Sequence, residues 1–388
     1  MADKIQNVSE LKANNRGMIL DALRYSPISR AELSRITGLA KSSVTTLTNE
    51  MISQGLLYEA GPAEKSNKAG RTRILLDING QYGFCVGINL QRKNISVVAV
   101  DIKGKIIFSF THKTADFENS EQALNYIIDN LNKKIEQAGL DINRLVGIGV
   151  SSPGPLDYKN GVILEPPNFA LFNNFNITEK IKSIYGCPVF LENNSVCLAL
   201  YEHHYKNKLT GSTLFAVISD GIGGVLLQNG EVYRGAYGIA GELGHISVNS
   251  KGERCACGNR GCLEQYATLS YLKTRFGFES YEQIVDLAKA GDKKGLEVIG
   301  FLAKTLGRAF VCAVNLFDLD RIILYGEFSY GAEFLTKQIE AYVKEHSVIC
   351  KVHKVEVGAS AQDYGVESAA ATVLALNAFF KEYNTKLF

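Results

Sequence analysis

Three cysteines, Cys255, Cys257 and Cys262, fall within eight positions of the stretch RCACGNRGCLE (254–264), interleaved with Gly258 and Gly261 and followed by Glu264. One disulfide would use two of these thiols and strand the third. In a reducing compartment so tight a cluster is metal chemistry rather than disulfide chemistry, because thiolates are ligands for soft cations. The N-terminus, MADKIQNVSELK, carries no apolar signal-peptide core, and no apolar run approaches the roughly 20 residues of a membrane helix. A cytoplasmic protein with no membrane partner is expected. The other five cysteines (Cys85, Cys187, Cys197, Cys312, Cys350) stand singly in apolar surroundings and are expected to be buried small hydrophobes.

A chain of 388 residues, 46% apolar and 21% charged, exceeds one compact core and reads as two or three folded domains, neither disordered nor collagen-like. The net charge of +2 hides an asymmetry. Residues 1–76 hold 11 Lys plus Arg against 7 Asp plus Glu, or +4, which leaves 31 against 33, or −2, for the rest. A basic end on a mildly acidic body points to a polyanion partner for that end.

The basic end has the elements such a partner needs. In NNRGMILDALRY (14–25), Met18, Ile19, Ala22 and Leu23 form a helical stripe, and Pro27 stops the helix. SRAE (29–32) is a capping box opening a short helix that Gly38 closes. A third helix follows to Gly55, with Val44, Leu47, Met51 and Ile52 facing inward. Its leading outer face carries Lys41, Ser42, Ser43, Thr45 and Thr46. Helix, tight turn and helix with a small, polar leading face is helix-turn-helix organisation, in which hydroxyl side chains approach base edges and N-terminal amides favour phosphate. GLLYEAG and RTRILLD then read as two strands of a wing, with Arg71 and Arg73 suited to a narrow minor groove. Together with Arg30 these residues are the expected contacts to double-stranded operator DNA. A protein-interaction domain with a solvated polar face is the alternative for this segment.

Beyond residue 80 strands and helices alternate in two mixed α/β halves of similar plan, and a cleft between halves is where small ligands usually bind. Four stretches, GVSSPGPLD, LENNSVCLALYE, GIAGELGHISV and CACGNRGCLE, together resemble the ROK family of bacterial sugar repressors and sugar kinases. The resemblance implies an α/β fold class: an N-terminal winged helix-turn-helix (1–78), like that of the repressor branch, followed by a two-lobed actin/hexokinase-like sugar-binding domain (79–388). The lobes are expected at approximately 79–195 plus the C-terminal helix, and 196–365.

The same resemblance supplies a fourth ligand. His245, ten residues before Cys255, would join Cys255, Cys257 and Cys262 around a structural Zn²⁺, binding with one ring nitrogen and turning the other toward a sugar hydroxyl. Glu242 and Glu264 resemble the family's sugar-contacting carboxylates, which accept hydrogen bonds from adjacent hydroxyls. Gly154 would admit the sugar close to backbone, and Asn168, Asn193 and Asn194 sit where the family contacts hydroxyls. His203 and His204 are read as solvated surface.

Departures from the kinase pattern decide the rest. The acid that serves as base in the family's END motif is Asn194 here, and an amide cannot accept the sugar's proton at neutral pH. In the phosphate loop Asn89 replaces an acid, and Leu90 and Gln91 fill phosphate space. Asp220 in SDGIGG opposes a polyphosphate, and Glu327 replaces glycine in the adenosine region. The expectation is a non-enzymatic, sugar-responsive repressor of carbohydrate-utilisation genes, acting as a homodimer or tetramer. The alternatives are an active sugar kinase with an added DNA-binding domain, and a repressor released by a transport-system protein.

Overall fold

The structure is a computed structural model and describes residues 8–62, 73–219, 221–361 and 364–382. The chain divides into two compact units, Met1–Cys197 with Glu367–Phe388, and Leu198–Val366.

The first unit begins with α1 (Val8–Leu23), β1 (Ile28–Ser29), α2 (Arg30–Thr37), α3 (Lys41–Ser53), β2 (Leu57–Pro62) and β3 (Ile74–Ile78). The three strands pair antiparallel in the order β1-β3-β2. Local chemistry sets the helix limits. The Ser29 side chain accepts from the Glu32 amide to start α2, and Gly38, at φ +72°, ends it by donating to the Ser34 carbonyl. Val44, Leu47 and Met51 of α3 are buried as expected. The buried stripe of α1 departs from the expected one. Ile19, Leu20 and Leu23 face inward while Met18 is 43% exposed, because the buried arc is centred on Leu20.

Next come β4 (Phe84–Leu90), β5 (Asn94–Asp101), β6 (Ile106–Lys113), α4 (Ser120–Gln137), β7 (Leu145–Ser152), β8 (Leu156–Asp157), β9 (Val162–Ile163), β10 (Phe175–Asn176), α5 (Ile177–Tyr185) and β11 (Val189–Asn193). A five-stranded sheet runs β11-β7-β4-β5-β6, with β8, β9 and β10 in a small separate sheet. Strands β4, β5 and β7 are almost continuously apolar and buried, as expected of strands covered on both faces. Leu90 belongs to that core, fully buried, so it fills no phosphate space.

Helix α6 (Asn194–Tyr201) carries the chain onward into a π-helical turn at Glu202–Lys206. The second unit holds β12 (Ser212–Ile218), β13 (Ile222–Gln228), β14 (Glu231–Val232), α7 (Leu269–Phe276), α8 (Tyr281–Lys289), α9 (Lys293–Phe317), β15 (Arg321–Gly326), α10 (Glu333–His346) and β16 (Glu356–Ser360). Its sheet, β14-β13-β12-β15-β16, repeats the connectivity of the first. The opening strand pairs antiparallel with the second and parallel with the fourth, and the fourth pairs parallel with the fifth. Helices α11 (Tyr364–Ala369) and α12 (Thr372–Glu382) follow, and α12 packs on β4, β7 and β11 of the first sheet.

Expectations about four single residues change. His203 is buried, its Nδ1 accepting from the Leu209 amide at 3.0 Å, because the π-helical turn rotates it inward; His204 is half-buried. Cys312 is exposed and Cys350 half-buried, whereas Cys85, Cys187 and Cys197 are core residues. No helix among the described residues is long and apolar enough to cross a membrane.

Candidate functional site

The cysteine stretch folds as a knuckle on a short ladder. Val248 donates to the Gly261 carbonyl and Leu263 to that of Ile246, which sets the segment holding His245 beside the one holding Cys262. Cys255 donates to the Asn259 carbonyl and receives the Gly258 amide, closing a tight turn. Gly261 is required there, since at φ +70° a Cβ would collide with the Asn249 carbonyl. His245 ends a 3₁₀ turn (Leu243–His245) that the buried Leu243 anchors.

The donor atoms of His245, Cys255, Cys257 and Cys262 all lie within 4.8 Å of one another. Cys257 Sγ and Cys262 Sγ are 3.6 Å apart, and Cys255 Sγ is 3.7 Å from His245 Nδ1. A disulfide needs about 2.05 Å between sulfurs, so these thiols are not bonded to each other. A tetrahedral ion with metal–sulfur bonds of about 2.3 Å and metal–nitrogen bonds of about 2.0–2.1 Å implies donor separations of about 3.5–3.8 Å, and the two distances match. The four residues form a cluster that could hold a metal ion. Burial holds the Cys255 thiol above its ordinary value and pushes that of Cys262 up to about 12, whereas the Asn259 amide draws Cys257 down.

Both carboxylates expected near the histidine are there, one at each ring nitrogen. Glu264 Oε1 is 3.4 Å from Nδ1 and Glu242 Oε2 is 3.8 Å from Nε2; the Glu242 side chain is 70% exposed. Glu264 also accepts from Cys255 Sγ at 3.1 Å, and the Gln265 amide donates to the same sulfur at 3.8 Å. Gln265 was not anticipated; its only signal in the sequence is its place after Glu264. Gly221, from SDGIGG, lies across from Glu264, while Asp220 is outside the described residues.

In the first unit the carboxyl ends of the parallel strands β7 and β11 gather Gly154, Asn193 and Asn194. Asn193 pairs in register with Ser152, and a Cβ on Gly154 would meet Asn193 Nδ2 at 3.2 Å. The Asn193 side chain accepts from the Ser195 amide and so starts α6. Asn194 Nδ2 donates to the Leu90 carbonyl, while its Oδ1 is shut off from solvent with no hydrogen-bond partner among the described residues. A buried acceptor without a donor is costly unless a ligand supplies one. Asn168 is exposed at φ +58°, a backbone state asparagine tolerates, and no described interaction ties it to the other three. Asn89 is buried and committed on both sides: Ser151 Oγ donates to its Oδ1, and its Nδ2 donates to the Glu367 carbonyl. Glu327 is half-buried at the start of a 3₁₀ turn after β15.

On α3, Lys41, Ser42, Ser43, Thr45 and Thr46 are all exposed, and the N-cap, Ala40, offers the first-turn amides no side-chain acceptor. Arg30 is engaged within the segment: its guanidinium bonds Thr48, Asn49 and Glu59, bracing α2 against α3 and β2. Arg73 is exposed; Arg71 lies outside the described residues.

A model of the ROK family matches residues 85–375. The xylose repressor of Bacillus spizizenii is 33% identical over 81% of this chain and 82% of its own. The transcriptional dual regulator NagC of Escherichia coli is 26% identical over 89% of this chain and 88% of its own. Among solved structures, a ROK family transcriptional regulator described as a homolog of the E. coli MLC protein superposes over 97% of this chain and 98% of its own, with a TM-score of 0.79 at 24% identity. The ROK hexokinase of Thermus thermophilus superposes over 77% of this chain and 99% of its own, with a TM-score of 0.63 at 27% identity. The fold is the mixed α/β, hexokinase-type fold of that family.

Proposed function

The chain belongs to the ROK family, and from that premise we propose that it is a sugar-responsive transcriptional repressor of carbohydrate-utilisation genes that does not transfer phosphate. The observation that carries the reading is the face of α3: a lysine and four hydroxyl side chains, all exposed, at the start of a helix whose amides are uncapped. That surface suits a major groove and its phosphates. Residues 1–78 act as a winged helix-turn-helix, with α3 as the recognition helix, β2 and β3 as the wing, and Arg73 and Arg71 at the minor groove. A homodimer or tetramer sets two such modules on a palindromic operator.

Gly154, Asn168, Asn193 and Asn194 are the sugar-contacting residues of the first unit, and Glu242, His245 and Glu264 those of the second. Asn194 Oδ1 takes a hydroxyl proton as a hydrogen-bond acceptor and cannot abstract it. Asn89 supports the same reading, since both ends of its amide are engaged within the protein. His245, Cys255, Cys257 and Cys262 fit a structural Zn²⁺. Bound there, the ion would fix the orientation and tautomer of the imidazole. Nδ1 is the nitrogen on the side of the thiols, which leaves Nε2 facing Glu242 and a ligand. Sugar favours a conformation with low operator affinity, and the response is bounded by the sugar's differential affinity for the two states.

The test uses fluorescence anisotropy of the full chain on duplexes selected from a random pool, with and without pentoses, hexoses and amino sugars. A coupled ATP-turnover assay runs on the same sugars. Salt-sensitive duplex binding that one sugar weakens is expected. Sugar-dependent ATP consumption abolished by Asn194→Ala would replace the repressor with a kinase.

A further inference from the structure

We infer that α11 and α12 carry the effector state from the sugar-binding strands to the DNA-reading helices, entering at Asn89 and leaving at Arg24. The inference rests on the regulatory reading above, and every interaction it uses lies within the first unit.

One face of the first sheet offers α12 a run of glycines where β4 pairs with β7. Gly87 on β4 and Gly147 and Gly149 on β7 share it, and α12 lies directly on their backbone. A Cβ on Gly149 would collide with the Ala371 carbonyl, one on Gly87 would come 2.7 Å from Thr372 Cγ2, and one on Gly147 would come 3.3 Å from Ala375 Cβ. Glycine backbone set this close to Ala371, Thr372 and Ala375 leaves no long side chain between strand and helix to absorb a shift, so the two move together.

Two residues further along the same face, glycine gives way to polar side chains. Ser151 follows Gly149 and Asn89 follows Gly87; they bond each other at 2.7 Å, and Asn89 Nδ2 reaches the Glu367 carbonyl at 3.2 Å. Ser151 stands one residue before Ser152, whose register partner on β11 is Asn193. The strand ends that bear Asn193 and Gly154 are thus tied through Asn89 to the start of the α11–α12 segment.

The far end of α12 holds α1. Arg24, just beyond the C-terminus of α1, is only 8% exposed; its Nη2 donates to Asn377 Oδ1 at 2.7 Å and its guanidinium lies 4.5 Å from the Phe380 ring centroid. Beside it the Tyr82 and Phe379 rings lie 6.3 Å apart. A planar cation stacked on a ring and hydrogen-bonded in plane fixes orientation as well as distance. The second attachment, Lys103 Nζ to Asp77 Oδ1 at 2.7 Å, joins the β5–β6 turn to β3. Arg24 is therefore a positioning residue for α1, which packs on α2, and α2 on α3.

The experiment compares wild type, Arg24→Met and Asn377→Ala, all full-length. Arg24→Met keeps a long apolar stem against Phe380 and removes the hydrogen bond and charge. Asn377→Ala keeps the cation and serves if the first variant fails to fold. Anisotropy on a selected duplex is read with and without each pentose, hexose and amino sugar of the panel above, D-xylose and N-acetyl-D-glucosamine among them, and calorimetry reads sugar affinity. In wild type the sugar should weaken duplex binding by roughly 5- to 150-fold. In a folded variant this ratio should fall toward one, with sugar affinity and sugar-free duplex affinity within about threefold of wild type. A wild-type response retained in full by both variants overturns the relay alone. A wild type whose duplex binding no sugar changes overturns the regulatory reading and the relay together.

Discussion

Glu264 Oε1 lies 3.1 Å from Cys255 Sγ, so one carboxylate borders both a thiol of the cysteine knuckle and, at 3.4 Å from Nδ1, the histidine that completes the cluster. The two kinds of residue in that stretch can be separated by substitution. Cys257→Ser removes one of four donors and should abolish stoichiometric zinc binding, with a large fall in thermal stability. Glu264→Gln removes only a neighbour of the donors. It should keep the metal, with affinity changed by no more than about 10–100-fold, and lose sugar binding. Elemental analysis, chelator competition and calorimetry check both, and a metal-free wild type sinks the site.

Metal affinity should depend steeply on pH. Burial holds Cys255 above the ordinary thiol value and Cys262 at about 12, so both are protonated in neutral solution before a cation binds as thiolate ligand. Binding expels those protons, so protons compete with the metal: affinity rises with pH and falls on acidification. Each proton expelled is worth about tenfold per pH unit. Zinc competition across roughly pH 6 to 8 checks this, and an affinity independent of pH contradicts it.

Asn194→Leu should weaken sugar binding by roughly 10- to 100-fold, the cost of leaving a ligand hydroxyl without its acceptor, with the fold retained. The orphaned Oδ1 is the reason for choosing this residue. Calorimetry with the best sugar reads the change, and unaltered affinity places the sugar elsewhere.

Two arginines of the N-terminal segment proposed to read DNA should behave in opposite ways. Arg30→Ala breaks a three-way brace and should cost about 1–3 kcal/mol of stability, while the salt slope of duplex binding stays as in wild type. Arg73→Ala should leave the melting temperature alone and lower that slope by about 0.9 for each phosphate the side chain no longer neutralises. Melting curves and anisotropy over a salt series distinguish them.

Distance along the chain separates what residue type and spacing reveal from what they hide. The α2 cap, the α2–α3 turn, the α3 face and the cysteine knuckle are all set by neighbours a few positions away, so the local pattern was enough to find them. The internal brace made by Arg30 was hidden because its partners, Thr48, Asn49 and Glu59, are 18 to 29 positions away and come from two other elements. His203 misled for a related reason: a π-helical turn shifts the face a side chain presents, and helical periodicity assumes the ordinary pitch.

By itself the sequence determined the chemistry on offer: three thiols and an imidazole, two carboxylates, the amide of Asn194, and a hydroxyl-lined helix. The tertiary structure decided how those groups are held. It made Asn89 a bridge between β4, β7 and Glu367, and it set Arg24 against a helix more than 350 positions away. The physical reason is that a ligand's chemistry belongs to the side chain alone, whereas a hydrogen bond or a stacked ring needs a partner that only the folded chain brings near.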